Sequence, residues 1–248
     1  ELIRIKKEFE IEQMRKSARI LHDTFDEISR AIEPGITTGE LDRIAEEYII
    51  FRGGKPAFKG YQGFPATICA SINDEVVHGI PGERKLEEGD IVGIDMGVIN
   101  DGYYSDATRS YAIGKISDEA EHLLKTTMEA LDLGIDMARE GNHLSDISHA
   151  IQEHSEKNGY QVVRSLVGHG IGRELHEEPQ IPNFGPPGQG PAIKRGMVFA
   201  IEPMLNAGTR DIVTRNDRWT TVTRDGKLSC HFEDTVAVTD GEPEILTR

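Results

Sequence analysis

The chain has 248 residues, enough for one large domain or two fused halves, and 43 acidic against 28 basic residues give it a net charge of −15. No basic cluster interleaves with aromatics, so that charge repels a phosphate backbone or an anionic membrane, and neither nucleic acid nor a membrane is an expected partner. Two cysteines (Cys69 and Cys230), no apolar run near the ~18 residues of a membrane span, and no basic-then-apolar leader pattern make a reduced, soluble, cytoplasmic protein the expectation.

The first predicted element is a helix over roughly 11–32. "EPGITTGELDRIAEEYI" (33–49) then reads as a turn and a helix, with Thr37 and Glu40 as a capping box and Leu41, Ile44 and Ala45 as the buried stripe. "INDEVVHGIP" (72–81) reads as a hairpin ended by His78. "GIDMGVINDGYYSDATRS", from Gly93 to Ser110, reads as another hairpin with Asp101-Gly102 as its type I′ turn. A two-residue loop puts Asp106 opposite Gly97, which makes Asp95 and Asp106 diagonal neighbours on one face, about 7–8 Å apart at the backbone. Gly93 and Gly97 carry no side chain on that face, so the space above the strand is expected to be open.

From here the chain repeats itself. A helix over 118–138 precedes "REGNHLSDISHAIQEHS" (139–155), which aligns without a gap on 33–49 and lays Ile147, Ala150 and Ile151 over Leu41, Ile44 and Ala45. His143 and Asp146 stand where the capping box was, a weaker version. "VGHGIGRELHEEP" carries His176 and sets His169 between Gly168 and Gly170, as close approach to a ligand needs. The G-x-G-x-G at 168–172 lacks the spacing and the later acidic partner of a dinucleotide fingerprint. "PNFGPPGQGP" (182–191) reads as a surface loop, not a domain boundary. "IKRGMVFAIEPM" (193–204) lies over "LEEGDIVGIDM" (86–96), and "FEDTVAVTDG" (232–241) over "SDATRSYAIG" (105–114). Glu202 thereby matches Asp95, and Glu233 matches Asp106.

These matches predict a single domain, 1–248, built of halves at roughly 11–114 and 118–241, with four carboxylates converging about a pseudo-twofold axis. Ionised groups in an apolar sheet cost several kcal/mol each unless paired, and no basic residue sits at a regular offset to serve all four. Two divalent cations would serve. With a neutral histidine and a bridging hydroxide the charges sum to about −1, the logic of a two-metal hydrolase. Mn, Fe(II), Co and Zn all suit such a set. His22, His122, His143, His149 and His154 lie in polar helical stretches and read as surface residues; His169, set between glycines with His176 seven residues on, is the first candidate partner, and His78 is the other.

The segments "PGITTGELD", "ASINDEVVHGIP", "GDIVGIDMGV", "GHGIGRELHEEPQIPN", "AIEPML" and "EILT" resemble the type I methionine aminopeptidases of the pita-bread metallopeptidase family, over essentially the whole chain. The resemblance implies an α+β fold of duplicated helix-plus-antiparallel-sheet halves, and Asp95, Asp106, His169, Glu202 and Glu233 as ligands of two metal ions. It implies that His176 contacts the scissile carbonyl, that His78 contacts substrate and aids catalysis, and that Glu202 doubles as general base. Tyr61, Phe64, Cys69, Leu175 and Trp219 would form the methionine pocket, although family members often carry a larger aromatic at 175 and Tyr at 64. The implied reaction removes the N-terminal methionine of nascent chains with a small second residue; a monomer is expected, and ribosome contact follows from that substrate. "YSDATRS" and "EDTVAVT", with Ser105 and Asp234, are more similar to the X-Pro branch (prolidase, aminopeptidase P). That branch usually adds an N-terminal domain and lacks the 72–81 hairpin, while the 31 positions between Glu202 and Glu233 are too few for a type II insertion. A non-catalytic pita-bread binding module is the remaining alternative, and such proteins usually lack several ligands.

Overall fold

The structure, a computed structural model, describes residues 2–248. Helix α1 (Glu8–Ala31) buries Ile11, Met14, Ala18, Leu21, Phe25 and Ile28, spaced by threes and fours along one face. Helix α2 (Thr38–Phe51) starts at the expected capping box, with the Glu40 N–H donating to Thr37 Oγ1 at 3.1 Å and the Thr37 N–H to Glu40 Oε2 at 3.0 Å. Helices α3 (Asp118–Asp136) and α4 (Leu144–Lys157) are their counterparts, and the Asp146 carboxylate accepts the His143 N–H at 2.8 Å. The inward stripes are Leu41, Ala45 and Ile49 in α2 and Ile147, Ile151 and Ser155 in α4. Ile44 and Ala150, expected inside, are half-buried in both copies.

Behind α1 and α2 the strand Ile91–Asn100 pairs antiparallel with Tyr103–Ala112 and with Ile68–Ile72. Asp101 and Gly102 sit at φ 49° and 77°, as a type I′ turn requires, and Gly97 faces Asp106 in the register. In the second half Val198–Ile201 pairs with Asp234–Ala237 and with Gly168–Gly170. The two sheets meet at an antiparallel bridge between Thr108 and Glu233. One core packs α1 and α2 on the first sheet, from Ile20 to Ile113, and a second packs α3 and α4 on the other. A third cluster, holding Ile11, Met14, Phe58, Phe64, Cys69, Ile171 and Leu175, draws on both halves.

Four expectations are corrected. Residues 72–81 do not form a paired hairpin: Ile68–Ile72 joins Ile91–Asn100, whereas Glu75–Val77 joins Thr221–Thr223. The long-range strand wins the edge, and Glu75 turns back to accept the Ile72 N–H at 2.9 Å. The space over Gly97 is filled, because a Cβ there would lie 3.0 Å from both Ala57 Cβ and Phe58 Cε1. Gly168 and Gly170 serve strand approach rather than a ligand, since Cβ atoms would meet Ala200 O at 2.5 Å and Glu178 O at 2.2 Å. Segment 182–191 is a surface loop only in its later part, as Asn183 is buried and donates from Nδ2 to the Glu202 carbonyl at 3.0 Å.

Candidate metal centre

Strand alternation aims Asp95 and Asp106 from the first sheet, and Glu202 and Glu233 from the second, into one cavity of about 150 Å³. His169 enters from Gly168–Gly170, and its Nδ1 lies 2.9 Å from the Gly170 carbonyl, which leaves Nε2 facing the carboxylates. That Nε2 is 3.7 Å from Asp106 Oδ2 and 3.5 Å from Glu202 Oε1. Asp106, His169 and Glu233 each offer an atom within 4.8 Å of the others. The Thr108 hydroxyl donates to Glu233 Oε2 at 3.0 Å, and Thr235 Oγ1 holds the Asp106 backbone at both N and O.

The electrostatics show what this set lacks. Among the described residues the only ion-pair partners of the four carboxylates are histidines. Burial pushes Asp95 up to about 7 and Glu202 up to about 8. Burial, then the neighbouring carboxylates, drives Asp106 and Glu233 well above the ordinary range. Burial also holds His169 down at about 3, so its imidazole is neutral at pH 7 and cannot compensate the charge. Asp95 Oδ1, Asp106 Oδ1 and Glu233 Oε1 are buried without any hydrogen-bond partner. A buried acceptor left unmatched costs about 1–3 kcal/mol, more when charged, so three in one cavity mark a donor set that divalent cations fit.

The predicted substrate residues line the same cavity. His176 sits at its mouth, its ring centroid 4.4 Å from that of His169, with Nδ1 2.8 Å from the Tyr61 hydroxyl. Partial desolvation lowers its pKa. His78 takes φ 61°, and burial lowers its imidazole to about 4. Phe64 and Trp219 meet edge to face at 5.1 Å, and Cys69 and Leu175 complete the apolar wall. Sequence reasoning missed Phe58 and Gln62 on this wall, and above all His231 behind Glu202. Its Nε2 is buried, unpartnered and 3.4 Å from Glu202 Oε2. The signal was its place two residues before Glu233, where alternation returns a side chain to the same face.

Ser105 and Asp234, the two departures, line no part of the cavity. Ser105 Oγ lies 2.9 Å from Ser17 Oγ of α1. Asp234 is locked between Arg109 and Arg248, each at 2.7 Å.

Comparison with known proteins agrees with this geometry. Residues 12–240 match the family "Metallopeptidase family M24". The methionine aminopeptidase of Clostridium perfringens (strain 13 / Type A) is 53% identical over 246 residues, covering 99% of each chain. The crystal structure of methionine aminopeptidase from Rickettsia prowazekii superposes with a TM-score of 0.98 at 42% identity, covering 100% of both chains. The prolidase from Pyrococcus furiosus has a TM-score of 0.81 at 24% identity over 98% of this chain and 65% of its own, a likeness of fold alone. The shared architecture is the α+β pita-bread fold. On the match of its family pattern and the full-length identity of its relatives, this chain belongs to metallopeptidase family M24.

Proposed function

We propose that this chain is a methionyl aminopeptidase that hydrolyses the first peptide bond of polypeptides beginning with methionine, with Asp95, Asp106, His169, Glu202 and Glu233 holding two divalent cations. The observation that carries the reading is the apolar slot of Phe58, Phe64, Cys69, Leu175 and Trp219 opening directly onto the unpartnered carboxylates. At about 150 Å³ the cavity is well below the roughly 300–1,000 Å³ of drug-sized sites, so it suits one side chain, and an unbranched thioether fits such a soft wall.

Bound there, the cations would supply Lewis acidity to the attacked carbonyl and lower the pKa of water. The protein does the rest. Thr108 and Thr235 fix Glu233 and Asp106, and Asn183 fixes the backbone of Glu202. A Tyr61 hydroxyl donating to His176 Nδ1 selects the tautomer whose Nε2–H donates to the oxygen that gains charge in the transition state. Glu202, which the bound cations would keep ionised, stands between His169 and His231 and serves as the base. His78, half-buried and neutral, faces Trp219 at 6.4 Å and steadies the substrate backbone. A small second residue follows from the narrow cavity.

Ser105 and Asp234 gave the X-Pro alternative its support, and both are engaged away from the cavity. All five proposed ligands are present, against a non-catalytic module. The reading carries with it a cytoplasmic monomer acting on nascent chains at the ribosome. Release of methionine from Met-Ala-Ser, abolished by chelator and restored by Mn, Fe(II), Co or Zn, is the expected result; cleavage of an X-Pro peptide instead would reassign the substrate class.

A further inference from the structure

The five residues above leave one buried side chain beside them unexplained. His231 is 3% exposed, and its Nε2 has no hydrogen-bond partner. It lies at the end of the strand Ser229–His231, which pairs with Met204–Asn206 and sets His231 opposite Met204, two residues after Glu202. Glu202 stands between two imidazoles: Oε1 is 3.5 Å from His169 Nε2 and Oε2 is 3.4 Å from His231 Nε2. Glu202, His231 and Glu233 offer atoms within 4.8 Å of one another, a second constellation that shares Glu233 with the one containing His169.

We propose that His231 is a sixth protein ligand of this centre, giving the cation beside Glu202 Oε2 an imidazole of its own. The proposal rests on the two-cation reading above and refines it. A separation of 3.4 Å is outside the roughly 2.7–3.2 Å of a hydrogen bond. It is what two donors have when each stands about 2.0–2.2 Å from one cation and they subtend about 100–110° there. His169 holds the same relation to Glu202 and Asp106, at 3.5 and 3.7 Å. A hydrophobic residue of similar size would fill the space at 231 without leaving a nitrogen stranded among carboxylate oxygens. Four carboxylates and two imidazoles form a harder-to-empty donor set than four and one, and the added imidazole moves preference toward cations that take nitrogen well.

The test uses Co(II) as the probe on the full chain. Equilibrium dialysis and the visible absorption of the Co(II) protein are measured for wild type, His231→Ala and His231→Gln. The expected result is an about tenfold or greater loss of affinity for one of two Co(II) equivalents in His231→Ala, with the other within about twofold and an altered absorption envelope. In the wild type, proton NMR of the Co(II) form should show contact-shifted signals from two imidazoles; this measurement decides even if both variants fail to fold. One shifted imidazole, or two Co(II) equivalents bound by His231→Ala with wild-type affinity and spectrum, overturns the proposal and leaves the two-cation reading standing. A wild-type chain that takes up no Co(II) overturns both.

Discussion

Thr108 and Glu233 exchange two backbone hydrogen bonds, at 3.1 and 3.2 Å, and the Thr108 hydroxyl adds a third to Glu233 Oε2 at 3.0 Å. The residue two before Thr108 is Asp106, and the residue two after Glu233 is Thr235, whose hydroxyl grips the Asp106 backbone. Each half thus supplies one acidic residue and the threonine that steadies the other half's, Thr108 at the Glu233 carboxylate and Thr235 at the Asp106 backbone. Thr108→Val keeps the backbone pair and removes only the hydroxyl, so Mn(II) affinity should fall about 10–100-fold with little change of fold. Titration calorimetry measures it, and wild-type affinity would falsify the positioning role.

His176 and Asp106 should separate cleanly by assay. His176→Ala removes the proposed hydrogen-bond donor to the developing charge, so kcat on Met-Ala-Ser should drop about a hundredfold to a thousandfold with metal content unchanged. Asp106→Asn should lose metal. Elemental analysis alongside turnover distinguishes them, and equal metal loss in both variants contradicts the division of roles.

The metal-free chain should lose stability as pH rises above neutrality. His78, His169 and His231 are held by burial at about 4, 3 and 4, below the ordinary 6.5, so the unfolded chain binds more protons and their contribution rises with pH until 6.5. Asp95 and Glu202, raised to about 7 and 8, act oppositely: their contribution is full below the unfolded values of 3.8 and 4.5 and is lost as pH climbs through the folded ones. The trends oppose each other below 6.5, and only the carboxylates act above it. In EDTA the Tm should therefore decline between about pH 6.5 and 8, and excess Mn(II) should remove the decline. A metal-free Tm that is flat or rising across that interval is the contrary outcome.

Asp234 is fully buried at its side chain and pairs with Arg109 and Arg248. Asp234→Asn leaves Arg109 without its carboxylate partner and Arg248 with Asp132 alone, which should cost about 3 kcal/mol by urea unfolding. Its ratio of Met-Ala to X-Pro cleavage should not move, and a shift toward X-Pro substrates would show that this position reads the substrate after all.

Much of the fold and the centre was legible where the determinants are local. The Asp101-Gly102 turn fixes the register that sets Asp106 against Gly97, and the internal repeat aligns Asp95 with Glu202. What escaped depends on distant competition. The strand Glu75–Val77 leaves its neighbour because Thr221–Thr223 offers it another edge. Phe58 reaches the cavity because Gly97 makes room for it. His231 stands two residues before Glu233 in "HFEDT", a spacing that puts both on one face of a strand, but no apolar alternation announces that strand, and its burial beside Glu202 is what makes the placement visible.

At position 78 the fold and the chemistry pull apart. His78 has a left-handed backbone, φ 61°, that a side chain occupies at a cost of about 1–3 kcal/mol. Glycine there would relax the chain while deleting the imidazole proposed to steady the substrate, so thermal endurance and turnover should change in opposite senses. Breeding this enzyme for heat resistance alone would therefore drift toward its own inactivation at that codon.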